Sequence, residues 1–81
     1  MDAGVNVSAR VRMKAADAGI SLAEVARRMG TSPQALSALL RTNNPKATHL
    51  AEMADALGVS VDYLLSPVSP TEYGEAMLKA I

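Results

Sequence analysis

Apolar residues recur along this chain at three- and four-residue spacing, in short runs that end at glycine or proline. That is helical spacing, and no stretch alternates with the period of two that a half-buried strand needs. Val7, Val11, Ala15 and Ala18 share one side of a first helix that Asn6 or Ser8 would cap, and Gly19 is placed to end it in left-handed backbone. Arg10, Arg12 and Lys14 fall off that stripe and are expected in solvent. A second helix over 21–29 opens with Ser21 and Glu24, the capping-box pair in which the serine accepts from the N–H of Glu24 and the glutamate reaches back. Val25, Ala26 and Met29 point inward on it, Arg27 and Arg28 outward, and Gly30 closes it.

The third helix follows after the turn Gly30-Thr31-Ser32. Ser32 is its N-cap and Pro33 takes the first helical position, where a missing N–H costs nothing. Leu36, Leu39 and Leu40 form its inward stripe, which leaves Gln34, Ser37, Ala38 and Arg41 on a face of small side chains with one amide and one guanidinium. A short helix of that kind fits a DNA major groove. Residues 42–47 form a loop, since Pro45 forbids helix and biases Asn44 away from it. Thr48 then caps a fourth helix with Leu50, Met53, Ala54 and Leu57 inward and Gly58 at its end. Ser60 caps a short fifth, 61–65, with Val61, Leu64 and Leu65 as core and Tyr63 partly buried. After Pro67, Ser69 and Glu72 make a second capping box for a tail helix over 70–80. Tyr73, Met77 and Ile81 stripe that helix, either against the domain or against a second copy. The expected organisation is all-α: a loose leader over 1–6, a five-helix domain over 7–66 and a tail over 67–81.

Composition narrows the possibilities. Eighty-one residues make one small domain, and 49% apolar residues are ample for a core. With no Phe or Trp and two Tyr, that core must be Leu, Val, Ala and Met. The absence of Cys removes disulfides, thiol nucleophiles and thiolate metal sites. No secretory signal and no membrane-length apolar run is visible. A cytoplasmic location, in the bacterial cytoplasm or nucleoid, is expected. The net charge is zero but unevenly distributed: residues 1–47 carry +4 and residues 48–81 carry −4. Such polarity lets a basic face meet phosphates while an acidic end stays away.

Catalysis has little to work with. His49 stands alone, and Glu52 and Asp55, three apart on one helix, have the look of a solvated face. Neither a phosphate-cradling glycine loop nor a metal-ligand cluster is present. No enzyme activity, cofactor, metal or small-molecule ligand is expected.

Two segments, AGISLAEVARRMGTSPQALSALLR and LAEMADALGVSVDYLLS, resemble the lambda-repressor-like, Cro-type helix-turn-helix domains of phage repressors and bacterial transcription regulators. The resemblance spans about residues 10–66. It implies a compact five-helix domain that binds a pseudo-palindromic operator in double-stranded DNA as a homodimer. Carried over by position, it makes Pro33, Gln34, Ser37, Ala38 and Arg41 the base-reading positions. Phosphate-gripping positions would be Ser21, Leu22 and Ser32 at the helix starts, and Thr42, Asn43, Asn44 and Lys46 in the following loop.

Three residues depart from the family pattern. Leu22 stands where many relatives have a phosphate-binding Gln. Ala15 and Leu40 stand where an Arg–Glu pair is common, an exchange of charge for apolar contact that leaves nothing unpaired. Thr42 replaces the usual glycine. The main expectation is therefore a sequence-specific regulator of transcription, a repressor or Cro-like protein, with Tyr73, Met77 and Ile81 as a dimerisation stripe. The competing expectation is a protein–protein module on the same fold, an antitoxin or anti-repressor adaptor, suggested by zero net charge, the nearly apolar reading helix and Leu22.

Overall fold

The computed structural model describes residues 3–42 and 45–79. They form α1 (Ala3–Ala18), α2 (Leu22–Met29), α3 (Pro33–Arg41), α4 (Ala47–Leu57), α5 (Val61–Leu65) and α6 (Pro70–Lys79). Among the described residues there is no strand, as the periodicity predicts.

The serine starts behave as expected. Ser21, Ser32, Ser60 and Ser69 sit before α2, α3, α5 and α6, and each accepts through Oγ from the N–H three residues on, at 3.0 to 3.1 Å. Gly30 and Gly58 close α2 and α4 in left-handed backbone, with φ of 74° and 69°. A side chain at either position would be strained.

Several boundaries and faces differ from expectation. Helix α1 starts at Ala3, so a leader over 1–6 overstates the non-helical stretch. Helix α4 starts at Ala47, one residue before the expected cap Thr48. Lys46 is extended there, and its carbonyl already accepts from Leu50 at 3.0 Å, so the helix begins with no side-chain cap.

The core is one cluster gathered from five helices: Val7, Val11 and Ala15; Val25 and Ala26; Leu36 and Leu40; Leu50, Met53, Ala54 and Leu57; and Leu64. Ala15 and Leu40 are 3% and 5% exposed, so these apolar replacements of a charged pair lie inside the core. Met29, Val61 and Tyr63 are partly buried against the cluster. Leu65, expected in the core, is 38% exposed, and Ala18 is exposed at the end of α1.

The tail folds back on the domain, with α6 packed against α1. It is anchored by Arg10, which is 8% exposed and not the solvated cation its sequence position suggests. Its Nη1 donates to Glu72 Oε1 at 2.7 Å and its Nη2 to the Pro67 carbonyl at 2.8 Å. Its Nε donates to the Ser66 carbonyl at 3.3 Å, and the guanidinium lies 5.1 Å from the centre of the Tyr63 ring. Burial works against the charge, but Glu72 and Tyr63 outweigh it and hold the Arg10 pKa above its ordinary value. Met13, on the same side of α1, is buried at 6% exposure.

Candidate nucleic-acid interface

Helix α3 lies against α1 and α2 and turns a single face outward. Leu36 and Leu40 point into the core, while Ala35 and Leu39 are half-buried. Pro33, Gln34, Ser37, Ala38 and Arg41 are all exposed. Positions 34, 37, 38 and 41 follow one another at three, one and three residues, which puts them in one stripe along the helix. Gln34, Ser37 and Arg41 have no side-chain partner among the described residues, so an amide, a hydroxyl and a guanidinium are open on the same surface.

The flanks of that stripe are backbone and loop. The first N–H groups of a helix have no partner within it. At the start of α2, Ser21 takes up two of them, that of Glu24 through Oγ and that of Val25 through its carbonyl. The N–H groups of Leu22 and Ala23 stay open at the positive end of the helix dipole, where anions are favoured. The Leu22 side chain packs against the core, so this residue offers a phosphate its backbone alone. At the start of α3, Pro33 lacks an N–H and Ser32 engages those of Ala35 and Leu36, which leaves Gln34 with the open one. Thr42 ends α3 in extended backbone and donates its N–H to the Leu39 carbonyl at 3.4 Å. That residue needs no left-handed turn, so a β-branched side chain is accommodated where glycine is common. Lys46 is exposed beside the start of α4. Asn43 and Asn44, expected on phosphate, lie outside the described residues.

Charge on this side is thinner than the sequence suggests. Arg27 Nε donates to Glu24 Oε1 at 2.9 Å and Arg28 Nε to Glu24 Oε2 at 3.1 Å. Arg28 Nη1 also reaches the Ala56 carbonyl at 3.4 Å, tying α2 to α4. Arg27 and, after it, Arg28 hold the Glu24 carboxyl down at about 2. The box glutamate thus turns forward along its own helix and does not reach back to Ser21. Arg12 Nε meets Ser8 Oγ at 3.3 Å, and Arg10 is committed to the tail.

The stripe expected to pair two copies is divided. Tyr73 and Met77 are half-buried on α6, and Ile81 lies outside the described residues. Leu78, which drew no expectation, is the most exposed large apolar side chain among the described residues, at 69%. Arg10 and Met13 were also missed. The available signal was the spacing of Arg10, Met13, Lys14 and Asp17, a second face of α1 at three- and four-residue steps.

A helix-turn-helix family profile matches residues 11–64, two thirds of the chain. The protein belongs to this family, that of lambda-repressor-like and Cro-like DNA-binding domains. It is a DNA-binding helix-turn-helix regulator whose partner is double-stranded DNA. No solved structure matches the chain. No helix among the described residues is long and apolar enough to cross a membrane.

Proposed function

We propose that the protein is a sequence-specific transcriptional regulator of the repressor or Cro-like kind, acting in the cytoplasm or nucleoid of a bacterium. It occupies a pseudo-palindromic operator as a homodimer, with α3 of each copy in the major groove. The observation that carries the reading is the outer face of α3, where Gln34, Ser37 and Arg41 are exposed and unpartnered in one stripe. Arg41 suits guanine O6 and N7, and Gln34 suits adenine N6 and N7. Pro33 and Ala38 offer only apolar contact, to a thymine methyl. Ser21, Leu22 and Ser32 hold phosphate from the helix starts, and Thr42, Asn43, Asn44 and Lys46 from the loop, which fixes the register in which the readers meet the bases.

The size of one copy is compatible with this dimeric reading. The longest dimension of one copy is 29 Å, and successive major grooves on one side of the duplex lie about 34 Å apart, so reading two half-sites takes two copies. Tyr73, Met77 and Ile81 are our candidates for the contact between them. Gene control then works by occupancy of the operator.

A second reading has its own observation. Glu24 engages both Arg27 and Arg28, so the free cations described beside α3 reduce to Arg41 and Lys46. A protein-binding adaptor, such as an antitoxin, would tolerate that loss.

Fluorescence anisotropy with mixed duplex DNA at two salt concentrations separates the two. A regulator loses affinity steeply as salt rises, because each phosphate contact releases counterions. On an operator then selected from a random library, Gln34→Ala or Arg41→Ala is expected to cost roughly 1–3 kcal/mol of affinity with the fold unchanged by circular dichroism. A folded protein that ignores DNA at low salt supports the adaptor instead.

A further inference from the structure

The family match ends at residue 64, and the chain continues through a four-residue linker into α6. From residue 70 to residue 78 no side chain is buried, whereas each of α2 to α5 places at least one residue in the core. Helix α6 rests on α1, and the contact is neither dry nor closed. A cleft of about 240 Å³ opens between them, lined by Met13, Lys14 and Asp17 of α1, Tyr63 of α5, and Glu72 and Glu75 of α6. Met13 is buried yet stands outside the core cluster, and it lines this cleft together with residues of α5 and α6. One side chain secures the layer: Arg10 grips the linker through the Ser66 and Pro67 carbonyls and the helix through Glu72.

We propose that α6 is a detachable strap. It opens as a unit while α1 to α5 stay folded, and the Arg10–Glu72 contact is the clasp that gates it. The reasons are physical. Ten residues with a glycine at position 74 do not hold a helix alone in water, so α6 is helical only while docked. Its docking buries no side chain of residues 70–78, and the half-exposed Glu72 leaves the clasp open to screening by salt. Opening uncovers Met13 and frees the Arg10 guanidinium, creating on α1 an apolar seat beside a cation. The strap is therefore the low-stability unit of the molecule, a local opening separate from global unfolding.

The test is native-state hydrogen exchange by NMR on the full chain. In the wild type, α6 amides are expected to be protected, but to exchange about a hundred-fold faster than the core amides of α2, α3 and α4. Glu72→Gln keeps the shape and removes the charge. It is expected to speed α6 exchange about ten-fold and leave the core amides unchanged, and added salt should move the wild type the same way. Oxidation by hydrogen peroxide is an independent readout. Met13 should oxidise faster in Glu72→Gln, while Met53, fully buried in the core, should not. The proposal is overturned if α6 and core amides share one opening, if α6 is unprotected in the wild type, or if Glu72→Gln changes neither α6 exchange nor Met13 oxidation.

Discussion

Two helices of this protein begin with the same pattern, a serine and then, three residues on, a glutamate. Ser21 and Ser69 make the same bond, each accepting from the N–H of its glutamate, at 3.1 and 3.0 Å. The glutamates then part. Glu24 bonds to Arg27 and Arg28, one turn along its own helix and at the surface. Glu72 bonds to Arg10, 62 residues away and buried. Neither returns to the serine's N–H. The difference lies in which cations are near. Arg27 and Arg28 are three and four residues beyond Glu24, the spacing at which helical side chains meet. No cation follows Glu72 at that spacing, so its carboxylate is free to cross to α1. The same local pattern therefore makes a surface cluster in one place and a tertiary anchor in the other.

The largest effect expected on this comparison comes from the buried end of the anchor. Arg10→Ala removes the donor to two carbonyls and a carboxylate and uncovers the Tyr63 ring. Roughly 2 kcal/mol should be lost, most of it as tail docking read in α6 hydrogen exchange, with a smaller drop in the urea midpoint from the lost hold on the end of α5. A loss no larger than a surface substitution gives would erase the contrast between the two glutamates. Next is Glu72→Gln, which leaves Arg10 its carbonyls. About 1.4 kcal/mol of tail docking should go, the factor of ten expected in α6 exchange. The caps come third. Ser21→Ala and Ser69→Ala should cost about 1 kcal/mol each in their own helices. The Ser69 change should surface in α6 exchange and the Ser21 change in the global midpoint. Both appearing in the global midpoint would mean that the tail is part of the core.

This contrast also explains what the sequence made legible. Helices α2, α3 and α5 could be placed to within a residue because each carries its own instructions, a serine cap and an apolar stripe, whereas α4 has the stripe and a glycine stop but no side-chain cap, and its start was misplaced. The core stripes were readable because a 3.6-residue period needs no knowledge of the partner helix. The outward face of α3 was readable as what that stripe leaves over. Arg10 and Met13 were not: the spacing of Arg10, Met13, Lys14 and Asp17 marks a second face of α1, but their burial depends on a tail more than fifty residues downstream returning to cover it, and nothing in that spacing names the partner. Lys46 was missed as the cap of α4 for a different reason. Its carbonyl starts the helix, and backbone carbonyls carry no residue-type signal. The +4 of residues 1–47 overstates the free positive charge for a similar reason, since the pairing of Arg10, Arg27 and Arg28 with glutamates depends on where those side chains meet.

The smallest effect on stability belongs to Glu24, and it is the most informative about function. Arg27 and Arg28 hold its carboxyl at about 2, against an ordinary value of 4.5. A carboxyl whose pKa is depressed by folding stabilises the folded state when ionised, so its contribution is full above about 4.5 and fades as pH falls toward about 2. An NMR titration of the Glu24 side-chain carboxyl should therefore show a midpoint below the ordinary 4.5, by less than the full drop because solvent screens a surface cluster, and a midpoint at 4.5 would mean that the cluster does not hold in solution. Glu24→Gln should leave the urea midpoint almost unchanged, because all three side chains reach solvent. It should nevertheless release two guanidinium groups on the helix that precedes α3. If α2 faces the DNA backbone, the variant should bind mixed duplex more tightly than the wild type at low salt and lose that affinity more steeply as salt rises. Unchanged binding and an unchanged salt slope would show that Arg27 and Arg28 lie away from the phosphates, and that Arg41 and Lys46 are the cations that meet them.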